Sequence, residues 1–361
     1  MIPARLLLLA ALLVVCTARA QGPTAHETAL FLAGVPVRGT SLESLSRDAS
    51  WMTHATEFDT AWRDLETRQL AGIRQWAETF MPMAYTSHGP MLYFFSGPDA
   101  LYAHTFYPNA STYVLAGLEP VGPLPDVAPL PPADLAASLA NLRKSLNSAL
   151  RFSFFITKDM KVDLTHTQLS GTLPVLYVFL ARAGCRIERT EFVGLDQAGQ
   201  VIPTKGVING ARIVFTGPSG REQTLYYFTT DLSDGGIQAN PAFVKFCTQL
   251  GRSVTLLKAA SYLMHSHGFS RARDFLLTQC STIVADDSGI PIRAFAPARW
   301  TVRLFGHYPG PIELFAEYRQ PQLAELFARV NPAPLDFGFG YRWHPGESTL
   351  ILATPRARDA Q

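Results

Sequence analysis

The sequence predicts an α/β fold: a mixed sheet with helices on both faces and an antiparallel middle section. Three observations predict it. A buried aromatic run, Leu92–Phe95, passes through the turn Ser96-Gly97-Pro98-Asp99 and a short helical stretch into a second apolar run, Thr112–Glu119, which is the pattern of a βαβ unit. From Arg186 to Thr230 the pattern changes to alternation broken by turns, as an antiparallel meander does. Apolar runs then return at 281–285, 301–305 and 349–353, with a helical stretch between the last two.

The elements follow in chain order. Arg5, the apolar run Leu6–Val15 and the small residues Ala18 and Ala20 read as a cleaved signal peptide over 1–20, since the apolar core is too short to span a bilayer. Export to the periplasm or the medium is the expected localisation. Residues 41–82 read as helical, with Leu65, Leu70, Ile73, Trp76 and Phe80 on one stripe, Asp59 or Thr60 as cap and Pro82 as stop. The prolines at 120, 123, 125, 129, 131 and 132 exclude a regular helix or interior strand, so 120–132 is an extended connector within a single domain over 21–361.

Asp134 is expected to cap a helix reaching Leu150, and Phe152–Thr157 to form another aromatic strand. Leu173–Ala183 reads as an apolar helix closed by Gly184. Strands are expected at 187–194, 212–215 and 224–230, with a hairpin turn at Thr216–Arg221. Helices are expected at 241–250, from a Ser253 cap to His267, from Ser270 to Gln279, and at 321–329.

Composition narrows the function classes. A formal charge of +2 over 361 residues, without a Lys/Arg cluster, argues against a nucleic-acid partner. After the leader no apolar run is long enough to cross a membrane. Cys185, Cys247 and Cys280 allow at most one internal disulfide and no zinc-ligand pair by spacing.

Several acids follow strands directly: Asp99, Asp159, Asp231 and the pair Asp286-Asp287. On parallel strands they converge at one edge, where clustered carboxylates serve as acid and base or hold a hard cation. The competing reading makes each a helix cap or turn former. Lys258, Ser261, Tyr262 and His265 fall on one face of the helix expected over 254–267, where a lysine beside a serine and a histidine is a candidate for activating a nucleophile; the alternative is a solvated face. Ser96 sits on a sharp turn, but Phe94 and Pro98 occupy the glycine positions of a nucleophile elbow. The aromatic and basic residues from Trp300 to His344 suit either stacking on a ligand or the core.

The stretch 92–119, with an acid, Glu119, closing its second strand, resembles in outline the start of a Rossmann-type nucleotide fold such as a methyltransferase's. Of the glycine fingerprint it keeps Gly97 alone, so the phosphate loop is missing and no nucleotide cofactor is expected. Catalysis is therefore assigned to Asp99, Asp231, Lys258, His265, Asp286 and Asp287, and ligand contact to Ser96, Gly97, Glu119 and Asp159. No cofactor is expected; a divalent cation at the acids has no motif behind it. The function expected is that of a hydrolase with an acidic cleft, or alternatively a non-catalytic periplasmic ligand-binding or envelope-assembly protein acting on a small molecule, glycan or peptide.

Overall fold

A computed structural model describes residues 22–152, 169–203 and 205–356. The leader, the strand expected at 152–157 and Asp159 lie wholly or largely outside the described residues. Ten strands form one sheet: β1 (Pro90–Tyr93), β2 (Thr112–Gly117), β3 (Arg186–Leu195), β4 (Val201–Ile202), β5 (Ile208–Thr216), β6 (Glu222–Thr229), β7 (Ser253–Leu257), β8 (Cys280–Ala285), β9 (Trp300–Gly306) and β10 (Thr349–Pro355). Their order across the sheet is β4-β3-β5-β6-β2-β1-β7-β8-β10-β9.

The centre, β6-β2-β1-β7-β8, is parallel throughout. The expected antiparallel middle section is β3-β4-β5-β6, and β10 and β9 extend the far side in antiparallel fashion. β1 and β2 are parallel neighbours with the helix Ala100–Phe106 between them in the chain. From β1 the chain steps outward to β2 on one side, and later returns to place β7 on the other. β1 is thus a switch point, and in open α/β sheets the crevice beyond the carboxyl ends of the strands at such a point is where ligands bind.

Buried residues form two clusters, one on each face of the sheet. Tyr93, Leu115, Val254 and Leu352 face one layer of helices; Leu92, Val114, Leu257 and Ile351 face the other. The alternation follows from the period of two along a strand. The helical stretch expected at 41–82 packs on the first face, where the Trp76 ring lies edge-on to Phe305 of β9 at 5.1 Å.

Three details of that region differ from expectation. Asp48, not Asp59 or Thr60, caps the long helix Ala49–Leu65, accepting from the Ser50 amide at 2.8 Å. A π-helical turn, Glu66–Leu70, joins this helix to Ala71–Phe80, and Pro82 opens the short helix Pro82–Thr86 rather than only ending the previous one. Further on, the helix expected to start at Asp134 begins at Pro132, with Asp134 in its first turn, where a carboxylate suits the N-terminal partial charge.

The connector 120–132 is tied down at its start. The Thr172 amide donates to Val121 O at 3.0 Å, and Gly122 and Gly171 cross so closely that a Cβ on either would collide with the other's backbone.

The largest correction concerns 253–267. Ser253–Leu257 is strand β7, buried at every position, and Ala259–His265 is a 3-10 helix. Its residues are spaced as a helical stripe in sequence, but Ser-Val-Thr-Leu-Leu is a short apolar run with two β-branched members, the composition of an interior parallel strand. Lys258 is extended, with φ −150° and ψ 157°, and Ala259 turns the chain in the left-handed region at φ +58°. The polar face expected on one helix therefore does not exist. Lys258 instead stands at the carboxyl end of β7.

Candidate functional site

The loops after β1, β2, β6 and β7 enclose a cavity of about 220 Å³ at the switch point. Its floor is a buried ion pair. Lys258 Nζ lies 2.7 Å from Asp99 Oδ2, with both side chains 3% exposed. Tyr93 donates its hydroxyl to the same carboxylate oxygen at 2.9 Å, and the ammonium sits 3.8 Å from the centre of the Tyr102 ring. Tyr102 in turn bonds Gln69 of the π-helical turn. Burial pulls Lys258 below the usual lysine range, while Asp99 beside it and the nearby Asp286 act in the opposite direction. Asp99 also accepts from the Tyr102 amide at 3.2 Å, capping the helix Ala100–Phe106. Cap and site residue are one and the same here.

Glu119 closes the second wall. Its backbone carbonyl accepts from the Tyr227 hydroxyl at 2.9 Å and the Thr229 hydroxyl at 2.8 Å, both from β6. The residue is thereby held against the sheet edge, 6% exposed. Two glycines make room for it. A Cβ at Gly117 would collide with Glu119 Oε2, and one at Gly97, whose φ is +54°, would stand 3.5 Å from the same atom. Tyr227 Oη is also 3.2 Å from Oε2, but its single proton is already shared with the backbone carbonyl.

The rest of the lining is mostly apolar: Phe95, Pro98, Leu118, Leu232, Leu263 and Phe269. Phe95, like Ala259, is a non-glycine residue in the left-handed region, at φ +59°. The two face the crevice from opposite sides of the switch point, after β1 and β7. Backbone strain of this kind, on the order of 1–2 kcal/mol per residue, concentrates at binding sites, where the surrounding structure holds it in place.

The residues singled out in the sequence divide into three groups. Asp99, Lys258, Ser96, Gly97, Glu119 and Asp231 all line the cavity. Ser96 is not poised as a nucleophile. Its amide bonds Ala116 O at 3.0 Å, its hydroxyl donates to Gly97 O at 2.8 Å, and the Ala116 amide donates to that hydroxyl at 3.2 Å, so the residue extends the β1–β2 ladder. Asp231 is exposed and folds onto Ser233, accepting from its amide at 2.8 Å and its hydroxyl at 3.0 Å.

Asp286 and Asp287 form the second group. They share the sheet edge but lie outside the cavity lining. Asp286 accepts from the Ala259 amide at 3.0 Å, the Ser288 amide at 2.9 Å and the Ser288 hydroxyl. Asp287 accepts from the Tyr262 hydroxyl at 2.6 Å. Burial, with Asp287 beside it, pushes the Asp286 carboxyl up to about 7; burial raises Asp287 as well. These acids staple the turn after β8 to the turn after β7. The structure places these two expected catalytic groups beside the cavity, with their hydrogen bonds made to the protein.

His265 stands apart. Its Nε2 bonds Gly289 O at 2.8 Å and burial lowers it to about 4, so the ring is a neutral donor, packed edge-on to Tyr262 and Tyr318. It does not line the cavity, and the lysine–serine–histidine face expected on one helix is not assembled.

Sequence reasoning missed Tyr93, Tyr102, Phe95, Phe269 and Gln69. Tyr93 was legible in principle as the inward residue of a strand ending at the site. Phe269 lines the cavity and Gln69 bonds Tyr102 behind the ion pair, each from an element distant in sequence, and no local pattern marks them. The C-terminal aromatics Trp300, Phe305, Tyr308, Phe337 and Phe339 are core residues. Among the described residues no three His, Cys, Asp or Glu side chains are placed to hold a metal ion, and no helix is long and apolar enough to cross a membrane. Comparison with protein-family profiles, curated proteins and solved structures returned no match.

Proposed function

We propose that this is an exported, ligand-binding α/β protein whose small-molecule site is the switch-point cavity. One observation carries the reading: residues following four different strands, β1, β2, β6 and β7, converge on one partly enclosed space with an apolar wall and a few fixed polar groups. The strained Phe95 and Ala259 on its two sides support it. The leader Leu6–Ala20 supports export.

The hydrolase alternative has less behind it. Asp99 and Lys258 are each other's partners, Ser96 is bound into the strand ladder, and His265 is bonded away from the cavity. These residues therefore do not form a nucleophile–base pair; a hydrolytic reading would have to rest on Glu119 or Asp231 activating water.

The test is a thermal-shift screen of the purified protein against amines, sugars, nucleosides and short peptides. A ligand at 100 times its dissociation constant adds about 2.7 kcal/mol of stability. Ala260 lines the cavity from an exposed position, so Ala260→Trp fills the space without disturbing the core. The expected result is a ligand-induced shift in the parent that disappears in Ala260→Trp. A shift of equal size in both proteins places the ligand elsewhere and defeats the reading.

A further inference from the structure

We propose that the cavity selects an organic cation: a primary amine or ammonium head group on a short apolar or aromatic body, with Glu119 as the residue that determines this choice. The proposal rests on the reading of the cavity as a ligand site and narrows the class of ligand.

The charge of the lining is the first argument. Its ionisable residues are Tyr93, Asp99, Glu119, Asp231 and Lys258. The lysine is matched by Asp99 at 2.7 Å, which leaves the carboxylates of Glu119 and Asp231 with no arginine or second lysine among the lining residues. An anionic ligand, phosphate included, meets uncompensated negative charge there. A cation meets the complement.

Glu119 supplies the second argument. It is 94% buried yet faces the cavity, and no ion pair to it exists among the described residues. Its only side-chain contact of hydrogen-bond length there is the Tyr227 hydroxyl at 3.2 Å, whose proton is shared with the Glu119 carbonyl. A largely covered carboxylate with a single side-chain donor near it has acceptor capacity to spare, and a ligand N–H group aimed at Oε1 uses it in a charge-assisted bond.

The walls supply the third. Phe95 and Phe269 meet edge to face with ring centroids 5.7 Å apart, offering aromatic faces to a cation. Leu118 and Leu263 remain 62% and 41% exposed at the rim, where a hydrocarbon body leaving the cavity would cover them. A volume of about 220 Å³ suits a head group and a single ring rather than a polymer.

The experiment uses three matched probes: phenethylammonium, 2-phenylethanol and phenylacetate, titrated calorimetrically into the full-length protein, Glu119→Gln and Ala260→Trp. The expected result is that phenethylammonium binds at least tenfold more tightly than the alcohol and that phenylacetate does not bind. Glu119→Gln should lose that tenfold preference while still binding the alcohol, and Ala260→Trp should bind none of the three. Thermal melts of both variants establish that they are folded. Equal binding of cation and alcohol, preference for phenylacetate, no binding of phenethylammonium, or an unchanged preference in Glu119→Gln overturns the charge selection. The ligand-site reading fails separately, if Ala260→Trp binds the probes or the ligands from the wider screen as the parent does.

Discussion

Glu119 and the pair Asp286-Asp287 look alike in sequence, each an acid just past an apolar strand, yet the fold surrounds Glu119 and Asp286 with very different numbers of donors. Asp286 accepts two backbone amides and a hydroxyl, and Asp287 accepts a tyrosine hydroxyl. Both oxygens of Asp286 are thus engaged in holding two turns together, and Asp287 is pinned to Tyr262. Glu119 is nearly as buried, but its backbone makes the bonds and its carboxylate is left toward the cavity. The lesson is that burial of an acid does not by itself mark a site. What would separate an anchor from a recognition group is whether the donors around it come from the protein or remain to be supplied.

The largest test of that distinction is the Asp99–Lys258 pair, which belongs to both categories. Lys258→Met leaves a buried carboxylate without its cation and is expected to lower stability by about 3–5 kcal/mol, read by chemical denaturation. The double variant Lys258→Met/Asp99→Asn removes the orphaned charge and should recover most of the loss. If the double variant is no more stable than the single, the pair is not the electrostatic unit described.

Next in size is a pH effect at the anchor. A carboxyl whose folded pKa lies above its unfolded value binds a proton on folding, so its contribution to stability falls as pH rises from about 4 to about 7. Asp286→Asn cannot titrate. It also turns an amide NH₂ toward a backbone N–H donor, so the variant starts less stable. The deficit relative to the parent should then shrink by about 1 kcal/mol or more between pH 4 and pH 7. Parallel stability curves across that range would remove Asp286 as the titrating group. The smallest effect is expected at Asp231, exposed and bonded within its own turn. Asp231→Asn should change stability by no more than about 0.5 kcal/mol. A larger loss would make Asp231 an anchor rather than a member of the open lining.

Much of the fold was legible because its signals are local. The run Leu92–Tyr93, the alternation through 186–230 and the turn Thr216–Arg221 each state their structure within a few residues. The stretch 253–267 was misread because Val254, Leu257, Lys258, Ser261 and His265 satisfy a helical spacing by coincidence, and a five-residue buried strand is too short to contradict it. The site was legible only in part. Strand-end acids announce a sheet edge, and a parallel centre brings Asp99, Glu119 and Asp231 to it. Which acids then face a cavity depends on turn conformation. Ala259 at φ +58° sends the chain after β7 back over Asp286, and nothing in an alanine foretells that.

The three cysteines of the described chain are free and buried: Cys185 within the cluster on one face of the sheet, Cys247 and Cys280 within that on the other. Burial raises all three thiols, so in the native state they are protonated and shielded from reagent. They amount to a built-in clock for each layer. Under native conditions a thiol-specific label reaches Cys185 only when the first helical layer lifts, and Cys247 or Cys280 only when the second does. Peptide-resolved labelling rates therefore time the opening of the two faces independently, and a ligand seated at the switch point, touching loops rooted in both, should slow the two together.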